Sequence, residues 1–194
     1  IKEGTKNFIE AEYSKKHFAD IYPTTTLKLE VLNAQKAKKS GRKMFPGSIT
    51  EFSRGSRLEK NRINVLLMSD SMLLSKKTMD KDDYDQTVFG AYTQPYKALE
   101  ETRPIIIIDE PHRFKRENKA YQCIVDKIQP QCIIRFGATF PNMPKGNEKD
   151  YNNLVYNLGT CEAFNDNLVK GVAVQTLNNV DGEDAKIKLM KVIN

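Results

Sequence analysis

The sequence predicts an α/β fold with a mostly parallel sheet flanked by helices, and two observations carry this prediction. Residues 105–108 are four consecutive isoleucines, and an unbroken β-branched run is typical of a strand buried on both faces of a parallel sheet. A second apolar run at 132–136 follows an intervening segment with helical spacing. Strand, helix and strand within about 30 residues form a right-handed βαβ unit.

The other elements follow from local patterns. Apolar residues predict upstream strands at 25–32 and 63–68, with a helix beginning near Pro46 between them. Residues 92–102 should form a helix that leads into the 105–108 strand. Apolar side chains recur at helical spacing across 116–129, and Pro130 ends that segment. They are Ala120, Tyr121, Ile124, Val125 and Ile128. We expect residues 144–150 to be a flexible link leaving the sheet.

Composition sets the broad class of protein. The chain has 194 residues, of which 39% are hydrophobic, enough for the core of one compact domain. It contains no apolar stretch of the ~18 residues that a membrane helix requires, and no signal peptide pattern. Three widely spaced cysteines argue against a zinc site or a disulfide framework. We therefore expect a cytoplasmic protein that does not bind a membrane.

Two carboxylates, Asp109 and Glu110, directly follow the isoleucine run. Parallel sheets bind ligands at the ends of their strands, so this is where a nucleotide-bound magnesium ion belongs. Asp109 would hold the metal through its water shell, and Glu110 would orient or deprotonate the water that attacks the γ-phosphate. The alternative is a strand that ends in a polar loop with two ordinary surface acids.

Small residues follow the next strand in the same way. Gly137, Ala138 and Thr139 come directly after the 132–136 run, and the βαβ connection brings Thr139 to the sheet edge that carries Asp109 and Glu110. A hydroxyl there could sense the nucleotide. The simpler interpretation is that small residues permit a tight turn.

Basic residues are concentrated before the second strand, although the net charge of +6 is moderate. The cluster consists of Lys36, Lys38, Lys39, Arg42 and Lys43. Contacts from such side chains to phosphates give sequence-independent, salt-dependent affinity for nucleic acid. A solvated loop is the alternative.

Residues 109–112 (Asp-Glu-Pro-His) and 137–139 (Gly-Ala-Thr), at this spacing, resemble motifs II and III of superfamily 2 helicases, whose motor is a pair of RecA-like domains. The longer stretch 102–114 is similar to the form of motif II in the restriction (Res) subunit of type III restriction-modification enzymes. Residues 1–4, followed by a helix containing Lys16, His17 and Phe18, are similar to the stretch after motif Ia. Three later stretches resemble the segment leaving the first motor domain. They are 153–158, 162–165 and 168–170.

The resemblance implies an ATP-dependent DNA translocase that uses ATP and Mg²⁺, with double-stranded DNA and a modification (methyltransferase) subunit as partners. His112 would couple the nucleotide site to a second motor domain, or it could pack beneath Phe114 as a structural residue. Ser69 and Ser71 stand where such proteins carry motif Ib and touch the nucleic-acid backbone. A serine at a strand end is also an ordinary helix cap.

The sequence departs from the family pattern in one respect. It has no Gly-x-x-x-x-Gly-Lys-Ser/Thr loop, whose amides and lysine cradle the nucleotide phosphates. We therefore expect a fold truncated at its N-terminal side: residues 1–150 form a partial first RecA-like domain, and 151–194 lead toward an absent second one. The isolated chain should be inactive. The alternatives are another superfamily 2 DNA helicase, or a nucleic-acid-binding module of the same fold without catalysis.

Overall fold

The computed structural model describes residues 2–34, 44–151 and 153–169. The chain divides into two compact units, Ile1–Asp150 and Tyr151–Asn194. The helices of the first unit are α1 (Lys2–Glu10), α2 (Glu12–Ile21), α3 (Gly47–Leu58), α4 (Asp70–Leu73), α5 (Pro95–Thr102) and α6 (Lys119–Cys123). Its strands are β1 (Thr26–Val31), β2 (Arg62–Leu67), β3 (Ile105–Asp109) and β4 (Cys132–Phe136).

The second unit contains one described helix, α7 (Thr160–Asn165). Its first turn is closed by Glu162, whose side chain accepts a hydrogen bond from the Gly159 amide at 3.0 Å. An acceptor at this position satisfies an amide that the helix itself leaves unpaired.

The strands form two parallel pairs. In the first pair, β1 lies beside β2 with Leu29 opposite Val65, and α3 connects the two strands while packing against both. In the second pair, β3 lies beside β4 with Ile107 opposite Ile134. Both pairs are therefore βαβ units. The sequence predicted this arrangement for β3 and β4, and it predicted two strands with a helix between them for the first pair. Within the described residues the pairs are separate two-stranded sheets, so the single sheet that we expected is not shown.

Helix α5 leads into β3 in the manner predicted. Pro95 occupies its first turn, where the amide that proline lacks would have no partner in any case. The helix ends at Arg103, which adopts a left-handed conformation with φ of 44°, and Pro104 follows. The β3 strand therefore begins directly after a helix stop.

The helix between β3 and β4 is shorter than predicted and irregular. Regular α-helical geometry covers Lys119–Cys123, and a π-helical turn continues through Ile124–Ile128. Ala120, Ile124 and Ile128 are buried, whereas Val125, which the same spacing grouped with them, is 43% exposed. The apolar spacing therefore identified the inward face only in part.

The core lies between α3, α5 and the helix that connects β3 to β4. Buried polar groups in it are paired: Ser53 donates a hydrogen bond to the Ala98 carbonyl at 3.4 Å. The Tyr96 hydroxyl donates to the Leu73 carbonyl and accepts from Cys123 Sγ at 3.0 Å. Burial raises the pKa of Tyr96, and the hydrogen bond with Cys123 raises it further. The phenol therefore stays protonated and links α4, α5 and α6.

The prediction that β3 is buried on both faces is wrong for the described residues. Ile108 is buried and Ile106 packs against the core, but Ile105 and Ile107 are 58% and 66% exposed. Successive side chains of a strand point to opposite faces, and only the face with Ile106 and Ile108 meets the core. The outer face of this pair also carries the exposed Ile134 and Phe136 of β4.

Among the described helices, none has the length and apolar character needed to cross a membrane.

Candidate functional site

The candidate site begins where β3 ends. Asp109 is the last residue of the strand, lies opposite Phe136 of β4 and is exposed to solvent. The next amide, that of Glu110, donates a hydrogen bond to the Phe136 carbonyl at 3.0 Å. The two strands therefore end at the same level, with the carboxylates of Asp109 and Glu110 at the sheet edge.

Glu110 is held in an uncommon backbone conformation. Its φ of 56° and ψ of 61° lie in the left-handed region, which costs a residue with a side chain about 1–2 kcal/mol. Pro111 follows and disfavours the right-handed helical region for the residue before it. The chain then makes a 3₁₀ turn over Pro111–Arg113, closed by a hydrogen bond from the Phe114 amide to the Pro111 carbonyl at 2.8 Å. The backbone thus sets the direction of the Cα–Cβ bond of Glu110.

The side chains of Glu110 and His112 are paired across this turn. His112 Nδ1 lies 3.1 Å from Glu110 Oε2, within hydrogen-bond distance, and the side chains of His112 and Glu110 are 44% and 40% exposed. The imidazole can thus fix the orientation of the carboxylate while leaving it open to solvent.

At Gly137, the segment that follows β4 lies against the segment that follows β3. A β carbon on Gly137 would clash with Pro111 Cδ, so only glycine allows this approach. Ala138 and Thr139 follow on the surface and are exposed. The structure therefore brings Gly137, the first residue of the 137–139 segment, against Pro111 of the 109–112 segment.

The carboxylates suit a magnesium ion that is shared with a ligand. Magnesium keeps several water ligands and is usually bound by one or two carboxylates together with substrate phosphates. Asp109 offers a carboxylate of this kind, and Glu110 is the next residue. The part of the chain that the structure describes contains no group of three or more His, Cys, Asp or Glu side chains able to hold a metal without such a ligand.

Sequence reasoning missed a buried charged residue near this site. Asp150 is 1% exposed and lies between two arginines: Arg116 Nε is 2.8 Å from its Oδ1, and Arg135 Nη1 is 3.3 Å from its Oδ2. Burial alone would raise the pKa of Asp150, but the hydrogen bond from Arg116 and the charge of Arg135 outweigh it and lower that pKa. Asp150 is therefore a buried carboxylate.

The segment before Asp150 is a closed loop, which corrects the prediction that residues 144–150 form a link leaving the sheet. The Met143 amide donates to the Glu148 carbonyl at 2.8 Å, and the Asp150 amide donates to the Pro141 carbonyl at 2.8 Å. Gly146 supplies a φ of 110° at the tip. Proline and glycine, at 144 and 146, are common turn residues. They were the features of the sequence that could have predicted this loop.

Ser69 and Ser71 lie at the start of α4. Ser69 Oγ accepts a hydrogen bond from the Met72 amide at 3.3 Å, so Ser69 is a helix cap, and it lies 2.9 Å from the Ser71 hydroxyl. Ser71 is exposed. The predicted basic cluster lies outside the described residues. Its members are Lys36, Lys38, Lys39, Arg42 and Lys43.

Parallel strand pairs with two acids at a strand end are found in many α/β proteins that bind ligands at this edge of the sheet. Sequence comparison shows to which family of such proteins this chain belongs. The family model described as "Type III restriction enzyme, res subunit" matches residues 5–142. The chain belongs to this family of restriction-enzyme Res subunits. Membership favours the Res subunit over the other superfamily 2 DNA helicases considered above.

Curated relatives agree with the family match. The StyLTI Res subunit of Salmonella typhimurium (strain LT2) is 46% identical over 183 residues, covering 90% of this chain. The EcoP15I Res subunit of Escherichia coli is 40% identical over 174 residues, and the EcoPI Res subunit of Escherichia phage P1 is 38% identical over the same length, each covering 89% of this chain. All three are type III restriction-modification enzymes by name. The chain spans only 17–18% of their lengths.

Proposed function

We propose that this chain is part of the ATP-dependent DNA translocase of a type III restriction enzyme. In this proposal, residues 1–150 belong to a first RecA-like motor domain and residues 151–194 lead toward a second. Residues 109–112 act as motif II and residues 137–139 as motif III. The observation that carries the proposal is the contact of Gly137 with Pro111, which joins these two segments at one sheet edge.

Three side chains would have separate roles in ATP hydrolysis. Asp109 would hold magnesium together with the nucleotide phosphates, and the ion would supply positive charge at those phosphates. Glu110 orients the attacking water and accepts its proton. His112, 3.1 Å from Glu110, keeps the carboxylate directed and would pass the state of the site to the second motor domain.

Thr139 would report the nucleotide state without supplying chemistry. It is exposed and lies two residues after Gly137, which touches Pro111. A shift of residues 109–112 on hydrolysis would reach Thr139 through that contact, because closely packed groups transmit small displacements.

A phosphate-binding loop would have to come from elsewhere in the full-length protein. The sequence has no Gly-x-x-x-x-Gly-Lys-Ser/Thr pattern, and that loop supplies most direct contacts to the β- and γ-phosphates. The 194-residue chain by itself is accordingly expected to lack ATPase activity.

The proposed partners are double-stranded DNA and a modification (methyltransferase) subunit. The names of the relatives support this, since each is the Res subunit of a type III restriction-modification enzyme. Phosphate contacts from the basic cluster at 36–43, and from Ser69 and Ser71, would track the DNA backbone. The cytoplasmic location stays a prediction from the sequence.

The proposal is tested with Asp109→Asn in the full-length protein, assembled with its modification subunit and DNA. The magnesium concentration that gives half-maximal ATPase should rise about tenfold or more, because a carboxylate beside the metal has been replaced by a neutral amide. Asp126→Asn removes another exposed carboxylate and should leave the magnesium requirement unchanged. An unaltered requirement in Asp109→Asn would contradict the proposed metal site.

A further inference from the structure

We infer that Asp150 is a positioning residue for the proposed motor: it holds residues 137–139 in register with residues 109–112, and so determines how well ATP hydrolysis is coupled to DNA translocation. This inference rests on the proposed function. Asp150 acts through its two arginine partners, Arg116 and Arg135, rather than through the carboxylates of the site.

Asp150 anchors the chain on both sides of residues 137–139. On the upstream side, Arg135 of β4 donates to the Asp150 carboxylate, with Nη1 3.3 Å from Oδ2, and to its backbone carbonyl. On the downstream side, the Asp150 amide donates to the Pro141 carbonyl at 2.8 Å. Phe136 is held in β4 by its pairing with β3. The loop at 137–140 is therefore bounded by β4, which Asp150 binds through Arg135, and by Pro141, which Asp150 binds through its amide.

The same carboxylate also reaches the chain that follows residues 109–112. Arg116 presents both Nε and Nη2 to Asp150 Oδ1, each at 2.8 Å. Arg116 lies three residues beyond the 3₁₀ turn that ends at Arg113. Asp150 thus connects β4, through Arg135, to the segment that follows the 3₁₀ turn, through Arg116.

Residues 137–139 have little else to fix them. Gly137, Ala138 and Thr139 are all exposed, so burial of their own side chains contributes little to their conformation. The contact of Gly137 with Pro111 sets one end. At the other end, the Arg135 guanidinium lies 5.5 Å from the ring centroid of Phe140, the residue after Thr139. Arg135 is thus held by Asp150 and in turn contacts the neighbour of Thr139.

The charged pairing of Asp150 gives a fixed geometry that an apolar contact would not give. Buried ion pairs can often be replaced by apolar residues without loss of stability, but an apolar contact would not fix three segments in one geometry. Two guanidinium groups donating to one carboxylate give directional, charge-assisted bonds. We therefore expect Asp150→Asn to alter coupling rather than ATP binding.

The test is a double-mutant cycle in the full-length protein with its modification subunit and DNA. Asp150→Asn, Thr139→Ala and the double variant are compared by the ratio of ATP hydrolysed to DNA cleaved. Each single variant should hydrolyse about tenfold more ATP per cleavage event, and the double variant should be no worse than either one, because residues acting through the same element are not additive. Additive effects, or an unchanged ratio in Asp150→Asn, would overturn the inference.

Two further variants separate positioning from folding. Arg116 is 36% exposed, and Arg116→Gln leaves the pair of Asp150 and Arg135 in place, so it should fold even where Asp150→Asn does not. Arg116→Gln should raise the ratio of ATP hydrolysed to DNA cleaved, and its effect should not add to that of Thr139→Ala. Additive effects of these two substitutions would overturn the inference. Asp80→Asn breaks an exposed pair with Lys127 at 2.7 Å and should leave the ratio unchanged. An equal rise in Asp80→Asn would show that the effect is not specific to Asp150.

Failure of the inference can be told apart from failure of the proposed function. Glu110→Gln is measured in the same assay. If Glu110→Gln retains ATPase, the proposed motor site is wrong whatever Asp150 does. If Glu110→Gln loses ATPase while Asp150→Asn and Thr139→Ala remain additive, only the positioning role is rejected.

Discussion

Gly137 packs against the ring of Pro111 so closely that no side chain fits between them. Pro111 fixes the turn that presents Glu110 and His112, and Gly137 begins the segment that ends in Thr139. A β carbon on Gly137 would have to push the proline aside. Because Pro111 is buried, the displacement would be passed to the neighbouring Glu110.

The first prediction is that Gly137→Ala greatly lowers DNA-stimulated ATPase in the full-length protein. Misplacement of reacting groups by about 1 Å can cost about 100-fold in rate, and the overpacked contact should also cost about 1–3 kcal/mol of stability. Steady-state ATPase and thermal unfolding of the same variant would measure both effects.

Gly47→Ala is the matched control for this substitution. Gly47 begins α3, and a β carbon there would meet nothing within 4 Å. It should keep both activity and stability. Wild-type ATPase in Gly137→Ala would mean that the contact with Pro111 does not position the site.

Local patterns in the sequence were sufficient to predict the meeting of these two strand ends. An aliphatic run, a segment of helical spacing and a second apolar run define a βαβ unit, and its parallel strands place both carboxyl ends at one edge. The observed register, with Asp109 opposite Phe136, agrees with that expectation. Gly-Ala-Thr at 137–139 was also recognisable as a turn of small residues.

The sequence could not show which faces of β3 are covered. Four isoleucines in a row are compatible with burial on both faces, yet Ile105 and Ile107 are exposed while Ile108 is buried. Burial depends on what packs against each face, and residues 105–108 alone carry no information about that.

The role of Asp150 was equally hidden from sequence. Its partners Arg116 and Arg135 are 34 and 15 positions away, and ion pairs between such distant residues leave no periodic pattern. Only the turn residues Pro144 and Gly146 indicated that the chain reverses before Asp150.

The second prediction concerns the basic cluster, which the structure does not describe. Replacing its five members with glutamine should weaken binding to all DNA sequences alike, and should flatten the salt dependence by about one unit of slope for each phosphate that is no longer bound. The five members of the cluster are Lys36, Lys38, Lys39, Arg42 and Lys43. Titration of labelled DNA at several salt concentrations measures the slope.

Replacing Lys76 and Lys77 with glutamine is the control for the loss of positive charge. Both lysines are exposed, and their replacement should leave the slope near that of the wild type. If the cluster variant also keeps the wild-type slope, residues 36–43 are a solvated loop and the DNA contacts lie elsewhere.

The third prediction is the most direct test of the central claim that Glu110 acts on the water attacking ATP. In Glu110→Gln of the full-length protein, assembled with its modification subunit and DNA, single-turnover phosphate release should fall about 100-fold or more, while ATP binding is retained. Glu117→Gln, an exposed acid nearby, should release phosphate at the wild-type rate. Wild-type phosphate release by Glu110→Gln would contradict the assignment of residues 109–112 as the catalytic segment.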